Sequence, residues 1–217
     1  MINNLNFFKI LTHIRLSEIM LFMRLLITVL VLFLNLQSWT KADDIRDFQI
    51  EGMSVGDSAL DYYKESELNN LDQIDYLKDN EFLKITIHLE KSDYDSIGLT
   101  FKPKDKKYII YAINGAVHID NNEQCLIKRN NIIEQVSNMF KGAEISNPGK
   151  RNYAADPTGE SKSYSTYYWI KGAFIEISCY DLTEKLANEN NWIKNTLNVG
   201  VSTKEFSDFL LTKQYSQ

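Results

Sequence analysis

The chain has 217 residues, 24 basic and 29 acidic side chains, and a formal charge of −5 at neutral pH. Its first 42 residues hold four bases and one acid, so the remainder carries −8. An excess of that sign excludes a nucleic-acid partner, whose phosphates require a basic face, and opposes binding to an anionic membrane surface.

Leu25–Leu34 is an almost purely apolar run of ten residues. A helix that crosses a bilayer needs roughly 20, whereas about ten to fourteen is the length of a signal-peptide core. Arg24 supplies the positive charge ahead of the run, and Thr40-Lys41-Ala42 places small residues at −3 and −1 of a cut after Ala42. A signal peptide over residues 1–42 and a single exported domain over 43–217 are therefore expected, which puts the domain in the periplasm or the medium. Residues 1–22 make a long leader, with Glu18 where positive charge is wanted; a start at Met20 or Met23 would leave a short basic one. The alternative is an uncleaved anchor over residues 24–38, which would be the only membrane contact. Neither cysteine lies near the cut, so lipid attachment there is excluded.

In the exported part, Gly52-Met53-Ser54-Val55-Gly56 has the Gly-x-Ser-x-Gly form of a hydrolase nucleophile elbow. An elbow needs a central parallel strand and an upstream oxyanion loop, and about ten residues of the exported chain precede Ser54. The same residues read as a helix N-cap, Ser54 with Asp57 three positions on, opening a helix to about Glu65. A weaker helical stretch is expected over 67–79. Eight acids between Asp57 and Glu81 face only Lys64 and Lys78; without a calcium-loop spacing they read as a solvated face.

Strands come next. Leu83, Ile85, Ile87 and Leu89 alternate with Lys84, Thr86 and His88, the period of a half-buried strand. Ile97, Leu99 and Phe101 repeat the pattern, and a third strand is expected over Tyr108–Ile119 with a bulge at Gly115. His88 and His118 fall on strands and lack a third ligand, so no metal site is expected, and no motif points to a cofactor. The clearest helix covers 123–141, with Cys125, Arg129, Ile132, Ile133, Val136, Met139 and Phe140 on one stripe. Residues 143–163 read as a long polar loop. It carries Gly149-Lys150 and Gly159 without the spacing of a phosphate loop. A hairpin follows, Tyr164–Ile170 and Ala173–Tyr180, then a short helix (183–190), a strand (192–201) and a last helix (203–213).

The order meander, helix, hairpin, last strand defines an α+β fold with one antiparallel sheet and helices packed on one face. Cys125 near a helix start and Cys179 near a strand end are the only cysteines; in an oxidising compartment they are expected to form a disulfide. Tyr164, Tyr167, Tyr168 and Trp169 place aromatics on both faces of one strand. They are the candidate binding residues, for a sugar, peptide or protein partner. Gly200-Val201-Ser202-Thr203-Lys204-Glu205 resembles Gly52–Asp57 in form, and two independent caps or a duplicated half-domain would each account for it.

The signal segment, the string Ile50-Glu51-Gly52-Met53-Ser54-Val55-Gly56-Asp57-Ser58, the Cys125 helix, Ser178-Cys179-Tyr180-Asp181 and Ser202-x-x-Glu205-Phe206 together resemble small uncharacterised exported proteins of bacteria with AT-rich genomes. That resemblance covers most of the exported part and implies one periplasmic domain with no catalytic residue. Gly52-Met53-Ser54 and the stretch after it are more loosely similar to outer-membrane assembly lipoproteins of the small-protein-A type. The function expected is that of a non-enzymatic binding module for a protein or small ligand, the alternative being a small serine hydrolase using Ser54.

Overall fold

The computed structural model describes residues 44–71, 73–76, 81–119, 121–189 and 195–214; the expected signal segment lies outside the described residues. Among the described residues eight strands form one antiparallel sheet. In chain order come α1 (Glu65–Asn69), β1 (Gln73–Tyr76), β2 (Phe82–His88), β3 (Ser96–Phe101), β4 (Ala112–His118) and α2 (Asn122–Met139). Then follow β5 (Glu144–Asn152), β6 (Lys162–Ile170), β7 (Ala173–Asp181), α3 (Glu184–Glu189), β8 (Asn195–Thr203) and α4 (Lys204–Phe209). The strand order is β1-β2-β3-β4-β8-β7-β6-β5. Two four-stranded meanders thus meet where β8 pairs with β4.

Strand alternation separates the sheet's two faces. Ile85, Ile97, Leu99, Ile113, Val199, Val201, Ile175 and Ile177 join one buried core. Helix α2 and the segment 48–68 cover that face, contributing Cys125, Val136 and Phe140 from the helix, and Phe48, Ile50, Met53, Val55 and Leu68 from the segment. Phe48 meets Phe140 with ring centroids 6.4 Å apart, closing the cover. The opposite parity, starting at Phe82 and Ala112, belongs to a small second cluster with Phe206 and Phe209 of α4. Asn121 caps α2 by accepting from the Gln124 amide at 3.0 Å. Cys125 and Cys179 are disulfide-bonded, as expected, with Cα atoms 6.0 Å apart.

Several local expectations are corrected. No helix starts at Ser54. Glu51 and Gly52, both with positive φ, make a two-residue turn in which Ile50 and Met53 exchange backbone hydrogen bonds. Gly56, also at positive φ, then lets the chain pair with 108–110. Capping is done by Ser58, on a short 3-10 turn at Ala59–Asp61, and the helix further on is only Glu65–Asn69. Gln73–Tyr76 is an edge strand in place of the expected helical stretch. In the second sextet Thr203, not Ser202, caps the helix, and the two sextets sit at non-equivalent places in the two meanders, one ahead of β1 and the other running from β8 into α4. Residues 144–152 of the expected loop form β5, an edge strand with a bulge between Ser146 and Gly149. Its Pro148, the bulge and the exposed Lys150 and Arg151 oppose pairing with another chain. Met139 of the expected stripe is exposed.

Gly115 makes no bulge: it pairs in register with Ile97 and Val199. A Cβ there would overlap the ring of Tyr94, which packs over it. Gly115→Ala is expected to destabilise the domain by about 2 kcal/mol through overpacking, measured by urea unfolding. Gly115→Ala combined with Tyr94→Leu should recover part of that loss, and a single variant as stable as the parent would refute this account.

Candidate functional site

The face of the sheet away from α2 is the less covered one. At one end α4 lies over it, with Ser202 and Ser207 hydroxyls 2.8 Å apart. At the other end Tyr153 packs edge-on to Tyr180, with centroids 5.5 Å apart. Between these two covers the register lines up Thr86, Gly98, Asn114, Gly200, Glu176 and Tyr167 across six strands. The neighbouring row is His88, Ser96, Ala116, Asn198, Ser178 and Ser165. Glycines at two positions and short polar side chains at most others leave this strip low and hydrophilic.

The four candidate aromatics of β6 divide between the faces, because alternate residues of a strand point oppositely. Tyr168 is a core side chain with 0 % exposure. Its hydroxyl donates to the Ile133 carbonyl at 2.9 Å and lies 2.8 Å from Ser137 Oγ, tying β6 to α2. It is not available to a ligand. Tyr164 shares that face, half-buried, with the Lys150 ammonium 5.8 Å from its ring centroid. Tyr167 and Trp169 stand on the open face. Phe174 of β7 joins them: its ring stacks on Tyr167 at 5.4 Å and meets Trp169 at 4.6 Å. Trp169 is 41 % exposed, a large value for the biggest apolar side chain.

Beside this aromatic strip sits a polar network. Glu176 Oε1 accepts from the Ser178 hydroxyl at 2.6 Å and from the Tyr180 hydroxyl at 2.9 Å. Ser178 is also 2.7 Å from Ser165 Oγ. Burial pushes the Tyr180 phenol well above its usual range, and the Glu176 charge adds to that. Tyr180 is therefore a neutral donor held by a carboxylate. On β8, Asn198 has a buried side-chain oxygen with no hydrogen-bond partner among the described residues. Glu176, Ser178, Asn198 and Asn114 do not stand out in the sequence; the available signal is the presence of Gly98 and Gly200 inside strands, where glycine marks a close approach.

Ser54 is 3 % exposed, and its hydroxyl donates to the Arg46 carbonyl at 2.8 Å. Its amide donates to Asp57 Oδ2 at 2.9 Å, and Tyr62 donates to the same oxygen at 2.8 Å. The residues with the form of an elbow make a hydrogen-bonded turn, and among the described residues no imidazole is bonded to the serine. His88 and His118 are both exposed, on strands separated by β3. Among the described residues no group of three His, Cys, Asp or Glu side chains is placed to hold a metal ion, and no helix is long and apolar enough to cross a membrane. A groove of about 430 Å³ between α1 and the 102–106 turn carries mixed charge, and Tyr108 at its wall already donates to Asn69 Oδ1 at 2.9 Å. No family model, curated protein or solved structure matches the chain.

Proposed function

We propose that the chain is exported on residues 1–42 and acts outside the cytoplasm as a non-enzymatic binding module, using the sheet face opposite α2. The Leu25–Leu34 run supports the export step, and the Cys125–Cys179 bond suits an oxidising compartment. The observation that carries the binding role is the aromatic strip of exposed Trp169 and half-buried Phe174 and Tyr167 beside the Glu176 network. A partly exposed aromatic strip flanked by fixed polar groups supplies contact area and orientation together. Of the four candidate aromatics, Tyr167 and Trp169 take this role.

A ligand that binds only the folded state raises the melting temperature. Protein secreted from the full-length gene, screened by thermal shift against neutral sugars, sugar acids, amino acids and short peptides, is expected to respond to at least one class. Trp169→Ala should weaken the response while leaving the ligand-free melting temperature within about 2 °C, as for a surface substitution. A response undiminished by Trp169→Ala together with Tyr167→Ala would place binding elsewhere.

A further inference from the structure

Lys84 stands on the same open face, on β2, and its side chain runs across β3. The space where a side chain of Gly98 would begin is filled by Cε and Nζ of Lys84 and by Oδ1 of Asn114. Glycine inside a strand weakens it; here it admits the lysine stem. The ammonium has no hydrogen bond or ion pair among the described residues. Of the carboxylates that share this face, Glu81 is engaged with Lys213, and Glu176 stands four strands away, bonded to Ser178 and Tyr180. Burial pushes the Lys84 amine below its usual range. A half-buried cation that lacks a counter-ion among the described residues, in a chain with an excess of acids, is an unusual arrangement.

The unpartnered Lys84 ammonium calls for an anionic oxygen. The unpartnered Asn198 oxygen calls for an O–H or N–H donor. Asn114 stands between them: it pairs with Gly200, two residues along β8 from Asn198. The Trp169 strip calls for an apolar ring face; its Phe174 lies three strand spacings or about 14 Å from β3, and Trp169 itself four spacings or about 19 Å. One ligand class carries all three features: a carboxylate, hydroxyl donors and C–H ring faces. Resting on the reading of this face as a binding surface, we propose that its ligand is an acidic sugar, whose carboxylate pairs with Lys84 and whose hydroxyls meet Asn114 and Asn198. A chain of about three such sugars reaches the strip, first at Phe174 and then at Trp169.

The test uses protein secreted from the full-length gene, with titration calorimetry against galacturonic acid, its trimer, neutral galactose and inorganic phosphate. The acid is expected to bind at least about tenfold tighter than galactose, and the trimer tighter than the monomer. Lys84→Met keeps the unbranched stem over Gly98 and should remove the preference for the acid, so that acid and galactose bind alike. Trp169→Ala should weaken the trimer most. Equal binding of acid and neutral sugar, unaffected by Lys84→Met, overturns the acidic-sugar assignment and leaves the binding face standing. Binding of phosphate as tight as that of the acid, lost in Lys84→Met, also overturns it, in favour of a simple anion site. No binding by any of the four probes overturns the assignment too, and the wider thermal-shift screen then decides the binding face separately. Trapping with pyridoxal 5′-phosphate and borohydride, read by peptide mass, checks the lysine independently. Lys84 should be modified ahead of the exposed lysines and protected by the galacturonate trimer. Modification no faster than theirs counts against the site.

Discussion

Replacing Cys125 and Cys179 together by alanine is expected to lower the stability of the domain by about 4 kcal/mol. The bond joins residues 54 apart in sequence, so breaking it returns a long loop to the unfolded ensemble. It also joins the first turn of α2 to β7, near the centre of the sheet, and both residues are buried. For a domain of this size the loss corresponds to a fall of about 8–16 °C in melting temperature. Thermal and urea unfolding with and without reductant check this. Reduced parent protein should match the double-alanine variant, and oxidised parent protein should show no titratable thiol when denatured. A difference of less than about 1 kcal/mol between the oxidised and reduced forms would mean that the helix–sheet contact holds without its bond. The prediction bears on compartment as well, since a chain retained in a reducing cytosol would be the less stable species.

What can be read from the sequence is what burial writes into it. β2 and β3 alternate, α2 carries a stripe, and the β6–β7 hairpin has its turn at Lys171-Gly172, so these elements lie where the pattern puts them. The disulfide is legible too, because two cysteines at a helix start and a strand end meet when the helix packs on the sheet. Edge strands are not legible. The residues of β5 are exposed on both faces except for a half-buried Pro148, so selection for burial leaves no period-two signal and Asn147-Pro148-Gly149 reads as a loop. The turn at Ile50–Met53 is masked by a different accident: a glycine needed for positive φ, next to a serine, imitates a helix cap. Gly115 imitates a bulge because its reason is Tyr94, a contact made by a side chain twenty-one positions away.

The site is half legible. Strand parity alone separates Tyr167 and Trp169 from Tyr164 and Tyr168, and the structure supplies which pair faces the core. Alternation puts Lys84 on the polar side of β2, but nothing in a sequence marks a charge that lacks a partner. That property belongs to the surroundings, here Gly98 and Asn114. The Gly-x-Ser-x-Gly string misleads for a like cause: a motif specifies residue types, whereas chemistry depends on whether the serine hydroxyl meets a base or, as here, a backbone carbonyl.

Arg129→Ala is expected to cost about 3 kcal/mol, through a cavity and through acceptors left unpaired. Arg129 is one position of the α2 stripe, a charge among apolar residues, and it is only 6 % exposed. Its guanidinium donates to the Ile177 carbonyl at 3.4 Å, to Thr166 Oγ1, to Asn147 Oδ1 at 3.4 Å and to Asn130 Oδ1 at 3.3 Å. Desolvation pushes its pKa down, yet a guanidinium starts so high that it stays charged at neutral pH. Four neutral oxygens thus take the place of a counter-ion, and three of them belong to β7, β6 and the bulge of β5. One side chain ties the helix to three strands. Arg129→Lys keeps the charge but loses the planar fork, so it should recover little of the loss. Arg129→Met refills the volume and should recover the cavity part alone. Urea unfolding ranks the three variants. Hydrogen exchange locates the effect: β5 should lose protection first, because Asn147 in its bulge is the contact through which α2 holds that edge. A uniform loss of protection across all eight strands would instead assign Arg129 to the general packing of the core.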